Sequence, residues 1–241
     1  MSDLTIIVPV YNEEDCIKNL ADALDKFISQ TDFRTDVLFV DDGSTDRSLQ
    51  YIEEACRNRK NFNYISLVRN GGLSVALKCG FDHVKTELIG YIDADLQTTP
   101  DDFHKLLAHA GEFDLVLGYR EKREDSFVKR LSSRIANAIR KFLLKDEIID
   151  TGCPLKVIRT SFAKKIPFFN GMHRFLPNAL MMAGGKVKQV PVRHFPRYAG
   201  RPKYHLFNRL TGPFISTLAV WWMQRNYIRY SIKSSSFKDM V

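Results

Sequence analysis

The sequence predicts an α/β fold in which a mostly parallel central sheet carries helices on both faces. Apolar runs alternate with helical repeats through the first 118 residues, which is typical of strand–helix–strand units. Turns rich in Asp or Gly follow three of the runs, where such sheets bind ligands beyond the carboxyl ends of their strands. The 241 residues, 44% apolar and 27% charged, suit one large domain or two small ones and exclude a disordered, collagen-like or disulfide-framework chain.

The elements of the first half follow from hydrophobic periodicity. Leu4–Val10 has the apolar content of a buried strand, and apolar residues from Ile17 to Ile28 recur at helical spacing. Val37–Val40 predicts the next strand, and Ser44 or Thr45 is expected to cap the helix that follows it. The other elements are predicted as strands at Tyr64–Val68, Leu88–Ile92 and Leu115–Leu117, and as helices around Leu49–Cys56, over Ser74–Val84 and over Asp101–Ala110, the last begun by Pro100.

The second half predicts a helix, a late strand at Val187–Val192 and an amphipathic terminal segment. The segment Leu206–Tyr230 contains two adjacent tryptophans, and 15 uncharged residues separate Arg209 from Arg225. A membrane span needs about 20 apolar residues, so an interfacial helix is predicted, the alternative being a helix packed on the protein or on a partner. The other helix is predicted from an apolar stripe at Phe127, Leu131, Ile135, Ala138/Ile139 and Phe142, with Lys129, Arg130, Arg134 and Lys141 largely off it.

Charge is divided unequally along the chain. Residues 1–118 hold 11 Lys+Arg and 21 Asp+Glu, whereas the chain as a whole holds 36 and 28 and is therefore basic in its second half, with a net charge of +8. No acidic residue lies between Asp150 and Asp239. An acidic half suits a bound cation, and a basic half suits phosphates or an anionic membrane surface.

The cysteines and the N-terminus favour a cytoplasmic protein. Four cysteines, without CxxC spacing, are expected to be reduced thiols rather than a zinc site or disulfides. The first residues lack the basic region and the long apolar run of a secretory signal. The positions concerned are Cys16, Cys56, Cys79 and Cys153.

Asp93-Ala94-Asp95 is the sharpest chemical motif. Two carboxylates that flank a small residue after a buried strand can bind a hard cation such as Mg²⁺ or Mn²⁺, which takes one or two carboxylates together with substrate phosphates. The turn Asp41–Asp46 is a second acidic turn, and its residue types also suit helix capping. Neither Gly-rich segment matches a P-loop or GxGxxG, so mononucleotide kinases and hydride-transfer enzymes are not favoured.

Several spaced motifs follow one another along the chain. The first are IVPVYNEE (7–14), VDDGSTD (40–46), RNGGLSVALKCG (69–80) and DADLQTTPDDF (93–103). In this order they resemble the motifs of the family 2 glycosyltransferases of the GT-A fold. The later ones are GYREKRED (118–125), SFVKRLSSRIAN (126–137), DTGCPLKVIR (150–159), HRFLP (173–177) and RYAGRPKY (197–204). Through them the chain resembles the polyprenyl (dolichyl) phosphate sugar synthases within that family, over nearly its full length to about Tyr204.

The resemblance implies roles for individual residues. Asp93 and Asp95 would bind the metal, with Ala94 and Gln97 beside the nucleotide-sugar. One departure is Pro202, which stands where the family often has serine and lacks both the hydroxyl and a backbone N–H. The nucleotide would be bordered by Pro9, Tyr11, Glu13, Asp41, Asp42, Arg69 and Asn70, and the phosphates would be met by the basic residues Arg120, Arg134, Arg201 and Lys203.

The acid-poor region after Asp150 bears on the acceptor. A hydroxyl acceptor needs a base, whereas a phosphate monoester is largely ionised at neutral pH and needs positive charge around it. The sequence therefore favours a lipid phosphate acceptor. The counter-hypothesis is that Asp150 or His173 is a base for a hydroxyl acceptor.

These expectations combine into one predicted enzyme. It is an inverting, metal-dependent glycosyltransferase that moves a sugar from a UDP- or GDP-sugar to a polyprenyl phosphate, peripherally bound on the cytoplasmic face of a membrane. Self-association or a small membrane partner is also expected. One rival is a family 2 enzyme acting on a glycan or glycolipid hydroxyl. The other is a non-catalytic nucleic-acid-binding module, which is not favoured because the sequence contains no RNP-like or zinc-finger pattern. The predicted units are a catalytic domain at 1–204, divided into a nucleotide-sugar half (1–118) and an acceptor half (119–204), and a terminal segment at 205–241.

Overall fold

The computed structural model describes residues 3–120, 137–196, 211–229 and 233–234. Its strands are β1 (Leu4–Val10), β2 (Thr35–Asp41), β3 (Phe62–Ser66), β4 (Leu88–Tyr91), β5 (Leu115–Arg120), β6 (Lys156–Arg159) and β7 (Val187–Val192). Its helices are α1 (Glu14–Gln30), α2 (Ser48–Arg57), α3 (Leu73–His83), α4 (Phe103–Leu107), α5 (described from 137 to 144), α6 (Thr160–Ala163), α7 (Leu176–Met182) and α8 (Thr211–Asn226). Single 3₁₀ turns lie at Pro100–Asp102 and Met172–Arg174.

The described strands form one seven-stranded sheet in the order β3-β2-β1-β4-β6-β5-β7. β1 pairs in parallel with both β2 and β4, and β2 pairs in parallel with β3. β6 runs antiparallel between β4 and β5, and β5 pairs in parallel with β7. The mostly parallel sheet that the sequence predicts is therefore confirmed, and the carboxyl ends of β1, β2 and β4 meet at one edge.

Each face of the sheet is covered by helices over its own apolar cluster. On one face Leu20 and Phe27 of α1 pack with Phe103 of α4. On the other face Phe81 of α3 belongs to the same cluster as Val220 of α8, which is fully buried. The helix predicted near the C-terminus therefore packs on the domain along one side. No helix within the described ranges is long and apolar enough to cross a bilayer.

The turn before α2 differs from the prediction. α2 begins at Ser48, and the side chain of its N-cap residue, Arg47, makes no capping hydrogen bond. Ser44 and Thr45 are not the cap, because their hydroxyls accept hydrogen bonds from Asn12, at 3.0 Å from its backbone N and 3.2 Å from Nδ2. These hydroxyls join the end of β2 to the end of β1 instead of the helix.

Two further predictions need correction, and one strand was not predicted. β3 ends at Ser66, and Val68, which was placed in the strand, is fully exposed in the turn beyond it. The helix expected over Asp101–Ala110 is shorter, because Pro100 begins a 3₁₀ turn and α4 ends at Leu107. The sequence gives no prediction of β6, whose four residues include two charges and show no clear alternation.

The apolar stripe on α5 does not face the core. Ile139 is 40% exposed and Phe142 is 83% exposed, whereas Arg140 between them is 4% exposed. Arg140 turns inward because it forms an ion pair with Asp146 at 2.6 Å and donates to the Ile148 carbonyl at 2.6 Å. The stripe residues 127–135 lie outside the described residues.

Candidate active site

The acidic and Gly-rich turns meet at the carboxyl edge of the sheet, as the strand order requires. The turn after β1 is fastened there, because Glu13 N donates to Ser48 Oγ at 2.8 Å. Pro9 in β1 is partly buried, as are Tyr11 and Glu13 beyond the strand. The β1–β2 register ends with Val10 opposite Asp41. This edge of the sheet therefore gathers the residues expected to border a nucleotide.

Asp42 organises the Gly-rich turn after β3. The carboxylate is 3% exposed and accepts hydrogen bonds from Asn70 Nδ2 at 3.1 Å, Gly71 N at 2.8 Å and Gly72 N at 2.7 Å. Gly43 packs against this turn so closely that a Cβ there would lie 2.6 Å from the Arg69 carbonyl carbon. Because both oxygens of Asp42 accept hydrogen bonds from the turn, this carboxylate positions Arg69 and Asn70, both of which are exposed.

Asp41 is likewise bound within the protein. Its carboxylate is 1% exposed. It accepts a hydrogen bond from Ser66 Oγ at 2.7 Å and another from Ser44 N at 3.1 Å. It therefore joins the ends of β2 and β3 to the turn after β2.

Asp93 and Asp95 lie just after β4 with Ala94 buried between them. Tyr91 Oη donates to Asp93 Oδ1 at 2.7 Å, and Gln97 N donates to Asp95 Oδ1 at 3.1 Å. Burial, together with the nearby charge of Asp95, raises the pKa of Asp93. Two such carboxylates give an oxygen donor set that a divalent cation would neutralise.

The metal site stays a prediction in which Asp93 and Asp95 are the two protein ligands. Within the described ranges, no three His, Cys, Asp or Glu side chains are grouped so as to hold a metal ion. Mg²⁺ and Mn²⁺ take their remaining ligands from water and substrate phosphates. Asp93 and Asp95 fit that pattern in residue type and in position at the strand end.

Lys156 lies close to Asp93, and the sequence reasoning missed it. Its side chain is 2% exposed, its Nζ donates to the Cys153 carbonyl, and it lies 5.1 Å from the centroid of the Tyr91 ring. Burial lowers the pKa of Lys156, and the Asp93 charge opposes that shift. The sequence did contain a signal for it, which is a lysine within the otherwise apolar run LKVI. A charge in a buried strand requires a partner, so this lysine could have been expected to make a specific contact.

Arg120 and Asp150 form a bidentate ion pair on the acceptor side. Arg120 Nε and Nη2 lie 2.7 Å and 2.9 Å from the two oxygens of Asp150. Gly152 N also donates to Asp150 at 3.1 Å. The pair is largely buried, with the side chains 12% and 7% exposed. Asp150 therefore fixes the guanidinium of Arg120 at the end of β5.

A cavity of about 290 Å³ opens beside these groups. His173 reaches it from the 3₁₀ turn at Met172–Arg174, with Nδ1 2.8 Å from Ser74 Oγ. Burial, with smaller contributions from the charges of Arg174 and Lys156, lowers the pKa of His173 to about 3. The described lining residues are Leu73, Tyr91, Asp93, Thr151, Gly152, Cys153, Pro154, Lys156, His173 and Arg174.

The predicted site residues are thus partly brought together. Asp93, Asp95 and Gln97 share one turn after β4, and Arg120 lies on a neighbouring part of the same sheet edge. The predicted phosphate contacts Arg134, Arg201 and Lys203 lie outside the described residues, as does Pro202.

Comparison with known proteins identifies the family. The profile described as glycosyl transferase family 2 matches residues 5–167. Undecaprenyl-phosphate 4-deoxy-4-formamido-L-arabinose transferase of Edwardsiella ictaluri is 32% identical over 208 residues, which are 84% of this chain and 63% of that protein. Dodecaprenyl-phosphate galacturonate synthase of Rhizobium johnstonii is 29% identical over 241 residues, covering 98% of this chain and 70% of that protein. The chain thus spans under two thirds of the length of the first of these relatives.

Solved structures agree on the fold. Glucosyl-3-phosphoglycerate synthase of Mycobacterium tuberculosis, in complex with Mn²⁺, UDP and glucosyl-3-phosphoglycerate, has a TM-score of 0.71 at 17% identity, covering 95% of this chain and 81% of that one. S. aureus TarS, residues 1–349, has a TM-score of 0.63 at 20% identity, covering 95% and 67%. At these identities the likeness concerns the fold alone, and it confirms the predicted GT-A architecture. The profile match and the 32% identical relative establish that this chain belongs to glycosyl transferase family 2.

Proposed function

We propose that this protein transfers a sugar from a UDP- or GDP-sugar to a polyprenyl phosphate, with inversion at the anomeric carbon. One observation carries the choice of acceptor: the groups that could serve as a base are already committed or too weakly basic. Asp150 is held by both nitrogens of the Arg120 fork, and His173 has a pKa of about 3. Asp93 is the sole carboxylate among the described residues that line the cavity, and its proposed role is metal binding.

A phosphate acceptor removes the need for a base. A phosphate monoester is largely dianionic at neutral pH, so one of its oxygens can attack the anomeric carbon without losing a proton. The new bond is the carbon–oxygen bond to the lipid phosphate, and the bond that breaks joins the anomeric carbon to the nucleoside diphosphate. The leaving group departs with the electron pair, and the single displacement inverts the configuration.

The donor diphosphate is assigned to the edge formed by β1, β2 and β4. Asp93 and Asp95 would hold a Mg²⁺ or Mn²⁺ ion there, whose charge stabilises the departing diphosphate. Asp42 holds the turn that presents Arg69 and Asn70 toward the nucleoside. Two relatives support the acceptor, since one is an undecaprenyl-phosphate 4-deoxy-4-formamido-L-arabinose transferase and the other a dodecaprenyl-phosphate galacturonate synthase.

Positive charge on the acceptor side would bind the lipid phosphate. Arg120 is held in a fixed orientation by Asp150, and Arg174 and Lys156 line the cavity. Planar guanidinium groups suit phosphate oxygens because they donate in pairs. Arg134, Arg201 and Lys203 complete the proposed set.

A membrane contact is proposed for the exposed faces of α8 and α5. The exposed apolar residues of α8 include Ile215 at 64% and Trp222 at 61%, and on α5 Phe142 is 83% exposed. The helices are adjacent, because Gln224 Nε2 donates to the Leu144 carbonyl at 3.2 Å. Exposed aromatic residues beside lysine and arginine suit an anionic lipid interface, and the acceptor lipid would be drawn from that surface at the cytoplasmic face.

A product assay tests the proposal. Purified enzyme, Mn²⁺ or Mg²⁺ and a polyprenyl phosphate would be incubated with a panel of UDP- and GDP-sugars, followed by mass detection of the nucleoside diphosphate and the lipid-phosphate sugar. We expect product from one donor and none with Asp95→Ala. Donor turnover that ignores the lipid phosphate and requires a hydroxyl acceptor would overturn the proposed acceptor.

A further inference from the structure

The hydrogen bonds around Ser74 assign the tautomer of His173. Ser74 is 3% exposed, and its Oγ accepts a hydrogen bond from Gly171 N at 3.0 Å. The same Oγ lies 2.8 Å from His173 Nδ1. If Nδ1 donated, the buried hydroxyl hydrogen would have no acceptor among the described residues, which is costly. The hydroxyl therefore donates to Nδ1, and the ring hydrogen lies on Nε2.

The turn that carries this imidazole is fixed from three sides. Gly171 has a φ of 100°, and a Cβ there would lie 2.7 Å from Ser216 Oγ of α8. The residues around the turn are anchored in the core, with Met172 fully buried and Phe175 2% exposed. His173 is thus held in place before any ligand arrives, which lowers the entropy cost of a hydrogen bond to one.

The imidazole is a neutral donor in a charged neighbourhood. Its pKa of about 3 keeps it uncharged at neutral pH, whereas Lys156 and Arg174 line the same cavity with positive charge. Phosphate oxygens are served best by charged donors. An uncharged N–H suits an uncharged oxygen, and the hydroxyls of a sugar ring are the uncharged oxygens of the proposed reaction.

The cavity lies where a donor sugar would be placed. It adjoins Asp93, where the donor diphosphate is assigned, and its wall combines polar groups with the apolar residues Leu73 and Pro154. The polar groups of such a wall can fix the orientation of a ligand. Because the cavity adjoins the assigned position of the diphosphate, a donor sugar attached to that diphosphate would lie in the cavity.

We propose that His173 donates a hydrogen bond from Nε2 to one hydroxyl oxygen of the transferred sugar and so helps to select the donor. The inference rests on the proposed function and makes it more specific. A buried donor left unpaired by a missing hydroxyl costs about 1–3 kcal/mol, or about 5- to 150-fold in kcat/KM.

The test is a cycle between enzyme variants and substrate analogues. Wild type, His173→Phe and His173→Gln would be assayed with the productive nucleotide-sugar and its monodeoxy analogues. We expect one analogue to lower wild-type kcat/KM by about 5- to 150-fold. His173→Phe should show that loss with the parent sugar and no further loss with that analogue, and His173→Gln, which keeps an N–H donor, should recover part of it. The KM for polyprenyl phosphate should stay unchanged.

Two results would overturn the inference. One is a loss in His173→Phe that is equal for the parent sugar and every analogue, or that falls on the KM for polyprenyl phosphate. The other is ¹⁵N NMR of histidine-labelled wild-type protein that places the ring hydrogen on Nδ1. If wild type turns over no donor, the proposed function fails. If wild type is active and the cycle is additive, only the inference about His173 fails.

Discussion

Asp93 and Asp95 in the first half lie two residues apart at the end of β4, whereas Asp146 and Asp150 in the second half each pair with an arginine. The first arrangement concentrates negative charge, and burial together with the Asp95 charge raises the pKa of Asp93. The second arrangement neutralises it, at 2.6 Å for Asp146 and 2.7 Å for Asp150. Two carboxylates close together attract a cation. Carboxylates that are each neutralised by an arginine add no net negative charge, so their surroundings suit an anionic acceptor.

The largest expected effect comes from removing one charge of the concentrated pair. Asp93→Asn should lower transfer activity by about 10³-fold or more, because the carboxylate would hold the charge that stabilises the leaving diphosphate. Since a raised pKa means that ionised Asp93 costs folding free energy at neutral pH, the melting temperature should stay equal or rise. Calorimetry measures the melting temperature, and a transfer assay together with Mn²⁺-dependent donor binding measures the loss of activity and its cause.

Asp32→Asn is the matched control, because it removes an exposed aspartate of the same half. It should leave activity and melting temperature as they are. A melting temperature for Asp93→Asn low enough to leave the protein unfolded under assay conditions would explain its loss of activity by a structural role of Asp93 and contradict the contrast.

Replacing Asp42 should mainly lower stability, whereas replacing Asp93 should mainly lower activity. Asp42→Ala removes three hydrogen bonds to the turn at 70–72, which should cost about 3–4 kcal/mol of unfolding free energy in urea titration. Donor affinity should fall because Asn70 loses its anchor. An unchanged unfolding free energy with lost donor affinity would instead mean that Asp42 contacts the nucleotide directly.

Asp150→Asn separates the two acceptor hypotheses. We expect a stability loss of about 2 kcal/mol, since one partner of a largely buried ion pair is neutralised but can still hydrogen-bond. The KM for polyprenyl phosphate should rise because Arg120 loses its orientation. A catalytic base would show itself differently, as a fall in kcat and the loss of the acidic limb of the pH–rate profile.

Asp146→Asn provides a matched control for that variant. Asp146 pairs with Arg140 and accepts a hydrogen bond from Asn178 Nδ2 at 2.8 Å, and none of the three lines the cavity. It should lose a similar amount of stability without a change in the KM for polyprenyl phosphate. An equal rise in KM for both variants would show that general loosening, and not Arg120, explains the effect.

The halves also differ in how far the sequence predicts them. The strands of the first half were found because runs such as Leu4–Val10 are apolar on both faces, as a central parallel strand requires. In the second half β6 was missed, since it contains the buried Lys156. Tertiary pairing explains both exceptions to periodicity: Lys156 is buried against Tyr91 and Cys153, and Arg140 turns inward to meet Asp146.

The candidate site shows the same division. The position of Asp93 and Asp95 follows from local sequence, because a strand and a turn suffice to place them. The roles of Ser74 and Lys156 depend on contacts with residues far away in the chain, such as Ser74 with His173. Spacing carries no signal for contacts of that kind.

A smaller effect is expected at the exposed faces of α5 and α8. Trp222→Ser and Phe142→Ser should each weaken binding to vesicles that contain anionic lipid by about 10-fold, with little change in melting temperature because both side chains are mostly exposed. Tyr64→Ser is the control, since Tyr64 is 43% exposed on β3. Equal losses for all three in a co-sedimentation assay would show that no particular face binds the membrane.

The smallest effect concerns the pH dependence of stability in the second half. The pKa of His173 is about 3 in the folded protein and about 6.5 in an unfolded chain. The unfolded state therefore binds more protons between these values, so the stability contributed by His173 is complete above about pH 6.5 and falls as the pH drops toward 3. At about pH 6 the expected loss is about 0.8 kcal/mol relative to pH 8.

Urea titrations of wild type and His173→Gln at the two pH values measure this term, because glutamine does not titrate. The difference in unfolding free energy between the proteins should change by about 0.8 kcal/mol from pH 8 to pH 6 in favour of the variant. A constant difference would mean that His173 is protonated as readily when folded as when unfolded. It would then carry positive charge near Lys156 and Arg174 below about pH 6.5, and in that range the second half would gain one more cation in place of a neutral donor.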